Sequence, residues 1–127
     1  MIGSGLIGTS MQGALSVCLL AFGSAALAQT PSDAQLKKGQ EVYQNWCWNC
    51  HGSGAGKPGT EALRAKYKDA RPADLEQRTD LAPVVIKTFV RKGVSIMPIF
   101  RKTEISDAEL DALAAYLARN TKAKSAN

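Results

Sequence analysis

Apolar side chains recur at helical spacing along this chain, and segments rich in glycine, proline or charge interrupt them. From Asp33 to Cys47 the larger side chains are Leu36, Val42, Tyr43 and Trp46. Leu36, Tyr43 and Trp46 fall near one helical face with Gly39 between them, and Asp33, just after Pro31, suits a cap or first turn. The run Gly52 to Gly59 is too glycine-rich for a helix and reads as a loop able to wrap closely around a flat surface. Thr60 is then expected to cap a short helix over Glu61 to Lys68, and Asp69 to Asp80 reads as a polar surface loop with a turn near Arg71-Pro72.

Asp80-Leu81-Ala82-Pro83 opens another helix, since proline is tolerated in a first turn. Gly93 ends it, and Lys87, Arg91 and Lys92 place positive charge towards its C-terminus. Val84, Val85, Thr88 and Phe89 are expected to form its buried face. The last helix starts at Ser106-Asp107-Ala108-Glu109, a capping box, and continues with Leu110, Leu113, Ala114 and Leu117 at helical spacing and Tyr116 beside them. Thr121 to Asn127 reads as a frayed polar tail. No strand pattern and no internal repeat is visible, so the fold class expected is all-α.

Composition changes this picture at the N-terminus. The first 32 residues hold no charged side chain, and Ala14 to Ala28 is an apolar stretch ending in small residues. Ala26-Leu27-Ala28 fits the small-x-small pattern of signal-peptide cleavage, which divides the chain into a signal segment, 1–28, and a mature domain, 29–127. The segment lacks the usual Lys or Arg near Met1, and an uncleaved membrane anchor is the alternative, because the apolar run from Leu6 to Leu27 approaches the roughly 20 residues of a spanning helix. A periplasmic location follows from export, with no membrane span after cleavage. The net charge of +5 lies wholly in the mature part. A basic surface suits nucleic acid, anionic lipid or an acidic protein, and export argues against nucleic acid.

The chemistry is concentrated in Cys47-Trp48-Asn49-Cys50-His51. C-x-x-C-H is the haem-attachment motif: each thiol adds across a haem vinyl group, and the adjacent imidazole turns onto the iron. A bare C-x-x-C also occurs in redox disulfides and zinc sites. Counting narrows these alternatives. After cleavage Cys47 and Cys50 are the only cysteines, and His51 is the only histidine in the chain. A closed zinc site wants four such ligands, and a thioredoxin-like site wants a strand before it. One covalent haem c is therefore the expected cofactor.

A sixth iron ligand follows from the same count. With no second histidine, Met97, 46 residues after His51 and the only methionine outside the signal segment, is the candidate soft donor. Pro98 biases it towards extended backbone. Lysine, asparagine, water or an open distal position are the alternatives. A mature chain of 127 minus 28, or 99, residues is small for a self-sufficient core, so a buried haem is expected to complete it and the haem-free chain to be largely unfolded.

These residues resemble the class I cytochrome c family. Gly39, Tyr43 and the motif at Cys47 to His51 match its N-terminal helix, and Leu113 with Tyr116 matches the pair on its C-terminal helix. The resemblance covers nearly the whole mature chain. It implies several short helices wrapped around one covalent haem, with Gly39 at the crossing of the terminal helices. It further implies that a proline carbonyl, here that of Pro58, orients the ring of His51, and that Met97, Pro98 and Phe100 form the distal loop. The implied function is one-electron transfer by a His/Met-ligated haem, not enzymatic turnover. Val84 to Phe100 is also similar to small cytochromes serving periplasmic dehydrogenases. That suggests a flavin- or quinone-dependent dehydrogenase as donor and an oxidase or another cytochrome as acceptor. A subunit fixed within a dehydrogenase complex is one alternative; a small haem peroxidase or gas-binding sensor with an open distal site is another. Lys87, Arg91, Lys92, Arg101 and Lys102 bracket Met97, either as a docking face for an acidic partner or as an ordinary solvated surface. Trp46 and Trp48 are read as packing.

Overall fold

The computed structural model describes residues 30–68 and 70–121. The expected signal segment and most of the polar tail lie outside the described residues. The first helix, α1 (Asp33–Trp46), is capped by the Ser32 side chain, which accepts from the Gln35 amide at 3.2 Å. A single turn, α2 (Trp48–His51), follows; then come α3 (Pro58–Tyr67), a 3-10 turn at Leu75–Gln77, α4 (Pro83–Lys92) and α5 (Asp107–Ala118). Among the described residues the only extended pairing is a lone bridge between Val94 and Met97. The expected all-α class is what the chain adopts. No helix among the described residues is long and apolar enough to cross a membrane.

The crossing of α1 with α5 organises the core. Gly39 lets the two backbones meet: a Cβ placed there would lie 2.1 Å from the Ala112 carbonyl oxygen and 2.6 Å from the Tyr116 Cβ. Next to that crossing the Tyr43 and Tyr116 rings tilt against each other with centroids 6.0 Å apart. Val42, Leu110, Leu113 and Leu117 fill the space around them, and Ile86 and Val90 of α4 close it. The α5 cap forms as expected, with Ser106 accepting from the Glu109 amide while the Glu109 carboxylate accepts from the Ser106 amide.

Two expectations need correction. The helix after the glycine loop starts at Pro58 and is capped by Lys57; Thr60 lies inside it, buried, and donates to the Gly52 carbonyl at 2.9 Å. Proline pre-sets the first-turn dihedral and needs no amide partner there, so the helix starts two residues before the hydroxyl. In α4 the core-facing residues are Ile86 and Val90, whereas Val84, Val85, Thr88 and Phe89 are exposed. The helix is apolar on more than one face. One stripe, Ile86 and Val90, meets α5, and the neighbouring stripe, Val85 and Phe89, opens onto a cavity. Periodicity shows that a helix has apolar stripes but not which neighbour each one meets.

The segment from Ala70 to Leu81 is polar in sequence yet firmly attached. The Tyr116 hydroxyl donates to the Glu76 carboxylate, Asn120 donates to the Glu76 carbonyl at 2.9 Å, and Thr121 donates to the Leu81 carbonyl at 2.9 Å. Tyr116 of α5 and the two residues Asn120 and Thr121 beyond it thus fix this loop, part of which lines the cavity.

Candidate functional site

Cys47 caps the C-terminus of α1, its amide donating to the Tyr43 carbonyl at 2.9 Å, and α2 starts at the next residue. The His51 amide returns to the Cys47 carbonyl at 2.8 Å. One helical turn therefore spaces the two thiols and the imidazole. Cys47 is buried and Cys50 exposed, and both thiols are free. Burial, with the Cys50 thiol as a smaller cause, pushes the Cys47 pKa up to about 12, so it stays a thiol at neutral pH. Burial likewise lowers the pKa of His51 and keeps its imidazole neutral.

The chain folds tightly around that imidazole. The Tyr43 hydroxyl donates to the His51 carbonyl at 3.0 Å, and the Thr60 bond to Gly52 draws α3 back over the motif. Gly54 and Gly56, at φ of 96° and 73°, turn the intervening loop in a region that L side chains rarely adopt. Gly59 then lies against the ring: a Cβ there would stand 2.6 Å from Cε1 and 2.8 Å from Nδ1 of His51. Pro58 sits beside this contact, but Nδ1 is buried without a hydrogen-bond partner, so the bond expected to the Pro58 carbonyl is not made. Trp48 packs on the core under Lys57, whose Nζ lies 3.2 Å from the ring centroid. Trp46 is 45% exposed and meets Phe100 edge-on at 5.8 Å.

Met97 stands in a tight turn. Gly93 leaves α4 with φ at 65°, Val94 and Met97 exchange amide bonds at 3.2 and 2.9 Å, and the Phe100 amide returns to the Val90 carbonyl at 2.9 Å. Three of the residues singled out in the sequence, Cys47, His51 and Met97, line one cavity of ≈ 330 Å³ whose other walls include Leu81, Val85, Phe89 and Leu117. Exposed Cys50 and Pro58 are not among its lining residues.

Of the five cations bracketing Met97, four are already paired. Lys87 meets Asp111 at 2.5 Å, Arg91 and Lys102 share Asp107 at 2.9 and 2.6 Å, and Arg101 reaches Glu104 at 3.5 Å. Much of the positive charge around Met97 is thus answered within the chain. Between them Val94, Ile96 and Ile99 are exposed.

A family model described as cytochrome C oxidase, cbb3-type, subunit III matches residues 34–117, from the first helix to the end of α5. The chain is a class I c-type cytochrome. No curated protein and no solved structure matches it. A cytochrome of this family carries haem c and works by haem-based electron transfer. The residues present fit that group: a largely apolar cavity, a thiol and a thioether on its lining, and a neutral buried imidazole whose Nδ1 lacks a protein partner. Among the described residues no three His, Cys, Asp or Glu side chains converge as metal ligands.

Sequence reading missed three features of this site. Gly59, which touches the ring, was one glycine among several in a loop. Thr60, which fixes that loop, was assigned to a helix cap. Arg78, 4% exposed and lining the cavity, lies in a stretch whose polarity signals solvent. Nothing local distinguishes it, because its burial depends on α3 and Asp80.

Proposed function

We propose that this cytochrome is a one-electron carrier of the periplasm, in which Cys47 and Cys50 would hold one haem c through thioethers and His51 and Met97 would bind its iron. The observation that carries this reading is that Met97, 46 residues after His51, borders the same apolar cavity as Cys47 and His51. When bound, haem supplies a one-electron couple between ferrous and ferric iron. His51 enters as a neutral imidazole, the form that has a lone pair to give, and burial secures that form. Gly59, next to Pro58 in the chain, packs against its ring. Met97, on the rigid turn after Gly93, offers a soft thioether that favours the reduced metal and raises the potential. Leu81, Val85 and Phe89 would exclude water from the group, and Met97 would keep substrate chemistry away from it.

Residues 1–28 serve as the export signal in this reading, and residues 29–127 as the mature domain. The donor is a flavin- or quinone-dependent dehydrogenase, and the acceptor an oxidase or another cytochrome. A second reading, a c-type domain held within a larger redox complex, is favoured by the matched family's description as an oxidase subunit. Spectroscopy of the full chain, expressed with haem maturation, tests the ligand set. A weak red absorption in the ferric protein, lost in Met97→Ala, together with refusal of cyanide and carbon monoxide, is expected. Absence of that band with immediate ligand binding would instead favour the peroxidase or sensor alternatives. Isolation from periplasm as a free monomer, or bound to a flavoprotein, quinoprotein or oxidase, separates carrier from subunit.

A further inference from the structure

Between Gly93 and Phe100 the chain leaves α4, turns and comes back. Val94 and Met97 exchange both amide bonds, so Ser95 and Ile96 are the two central residues of a tight turn. Ser95 has φ at 53°, and Ile96 does not share that left-handed geometry. A positive φ at the first central position alone is the II′ pattern, which favours glycine there, so a serine holds the position under strain. Strain of this kind persists only where the surroundings over-determine the backbone. The turn supplies little of that hold itself, because Val94, Ser95, Ile96, Pro98 and Ile99 are exposed and Met97 is only half-buried.

The hold lies at the end of the loop. Phe100 is fixed on three sides: its amide donates to the Val90 carbonyl at 2.9 Å, its carbonyl accepts from Arg91 Nη1 at 2.9 Å, and its ring meets Trp46 of α1. The other arm of the same guanidinium, Nη2, donates at 2.9 Å to Asp107 in the first turn of α5. Arg91 thus ties together the last turn of α4, the return of the Met97 loop and the start of α5. Its side chain is only 23% exposed. The Lys87–Asp111 pair joins the same two helices one turn earlier, is more exposed, and makes no bond to the loop.

We infer that Arg91 is a positioning residue for Met97, a latch on the returning chain that lets the strained Val94–Met97 turn keep its thioether at the cavity. The role rests on the reading of Met97 as an iron ligand. A planar fork serves a carbonyl and a carboxylate at the same time through two charge-assisted bonds, whereas an ammonium offers one point charge to both. Sequence alone groups Arg91 with four other cations around Met97, and only the packed loop separates it from them.

A latch has a measurable consequence. An external ligand such as cyanide reaches the iron only when Met97 swings away, so its apparent affinity follows the fraction of molecules with the loop open. Loss of a charge-assisted bond made only in the closed loop raises that fraction by roughly tenfold, the low end for bonds to charged groups because Arg91 keeps some contact with water. Removing a cation by itself disfavours an anionic ligand, so a rise in cyanide affinity has the opposite sign to a pure charge effect.

The experiment compares full-chain ferric holoprotein of wild type, Arg91→Gln, Arg91→Lys and Lys87→Gln by titration to high cyanide concentration, by the weak red absorption, and by amide hydrogen exchange at Met97 and Phe100. Arg91→Gln is expected to bind cyanide roughly tenfold more tightly, with a weakened red band and faster exchange at both amides. Arg91→Lys is expected to change in the same direction by less. Lys87→Gln is expected to keep wild-type values although it also loses an ion pair between α4 and α5. Wild-type cyanide affinity and exchange in Arg91→Gln would overturn the inference. An equal rise in Arg91→Gln and Lys87→Gln would overturn it too, by making Arg91 one general tie between two helices. If Arg91→Gln yields no holoprotein, Arg91→Lys decides: raised cyanide affinity with faster Phe100 exchange supports the latch, and wild-type values overturn it. A wild-type holoprotein that lacks the red band and binds cyanide at once defeats Met97 as a ligand, an outcome distinct from an intact band that the Arg91 variants leave unmoved.

Discussion

Replacing Gly39 by alanine sets two known effects against each other with opposite sign. In an isolated helix alanine is favoured over glycine by roughly 1 kcal/mol, so α1 alone would gain. At the helix crossing, however, the new Cβ would meet the Ala112 carbonyl oxygen at 2.1 Å, the Tyr116 Cβ at 2.6 Å and the Ala112 carbonyl carbon at 2.7 Å. Two of these are backbone atoms of a capped helix, so no rotamer change relieves them, and α1 and α5 must move apart by about 1 Å. Separation on that scale forfeits a quarter to a half of the dispersion attraction across the contact, and Tyr43, Leu113, Tyr116 and Leu117 all pack around it. Over-packing of this kind costs about 1–3 kcal/mol, and rigid backbone on the receiving side places the case at the upper end. A net loss of about 2 kcal/mol survives the propensity gain. For a domain of this size that lowers Tm by roughly 8–16 °C. Thermal unfolding of holoprotein followed at the haem absorption checks it, with exposed Lys37→Ala as a control expected to stay within about 0.5 kcal/mol of wild type. A Gly39→Ala protein as stable as wild type, or more so, would refute the close crossing of α1 and α5.

Three further expectations follow from the site. Gly59→Ala puts a Cβ 2.6 Å from His51 Cε1, so the ring must rotate or α3 withdraw; a reduced yield of holoprotein and an altered spectrum are expected, and an unchanged spectrum at normal yield would count against the contact. Burial keeps His51 neutral when folded, while the unfolded chain takes up a proton below its ordinary value of 6.5. The unfolded state then binds more protons, so stability falls as pH drops through that value and is insensitive to His51 above it. Urea midpoints of the holoprotein at about pH 7.5 and pH 5.5 bracket this change, apart from the carboxylates that titrate lower, and equal midpoints would contradict it. Cys47→Ser with Cys50→Ser, which prevents covalent attachment, is expected to leave the chain largely unfolded by circular dichroism, because so small a domain around an unfilled ≈ 330 Å³ cavity has too little core; a cooperative native-like melt would disprove that.

What the residues determined by themselves is what depends on neighbours in sequence. The α5 capping box, the end of α4 at Gly93 and the one-turn spacing of Cys47, Cys50 and His51 are all local geometry, and each was legible from spacing and residue type. The scarcity of Cys, His and Met also singled out Met97, because elimination needs only a count. Tertiary structure decided what depends on which surfaces meet. It turned Ile86 and Val90 rather than Val84 and Thr88 towards the core. It also seated Gly59 against the His51 ring, paired Arg91 and Lys102 with Asp107, and drew Arg78 out of solvent. The physical reason is common to all four: helical period fixes the angle between side chains on one element, whereas burial and charge are set by the element packed opposite. Gly39 belongs to both levels, since the resemblance to cytochrome c implies a close crossing there and only the packed pair of helices reveals that the neighbour is the backbone at Ala112.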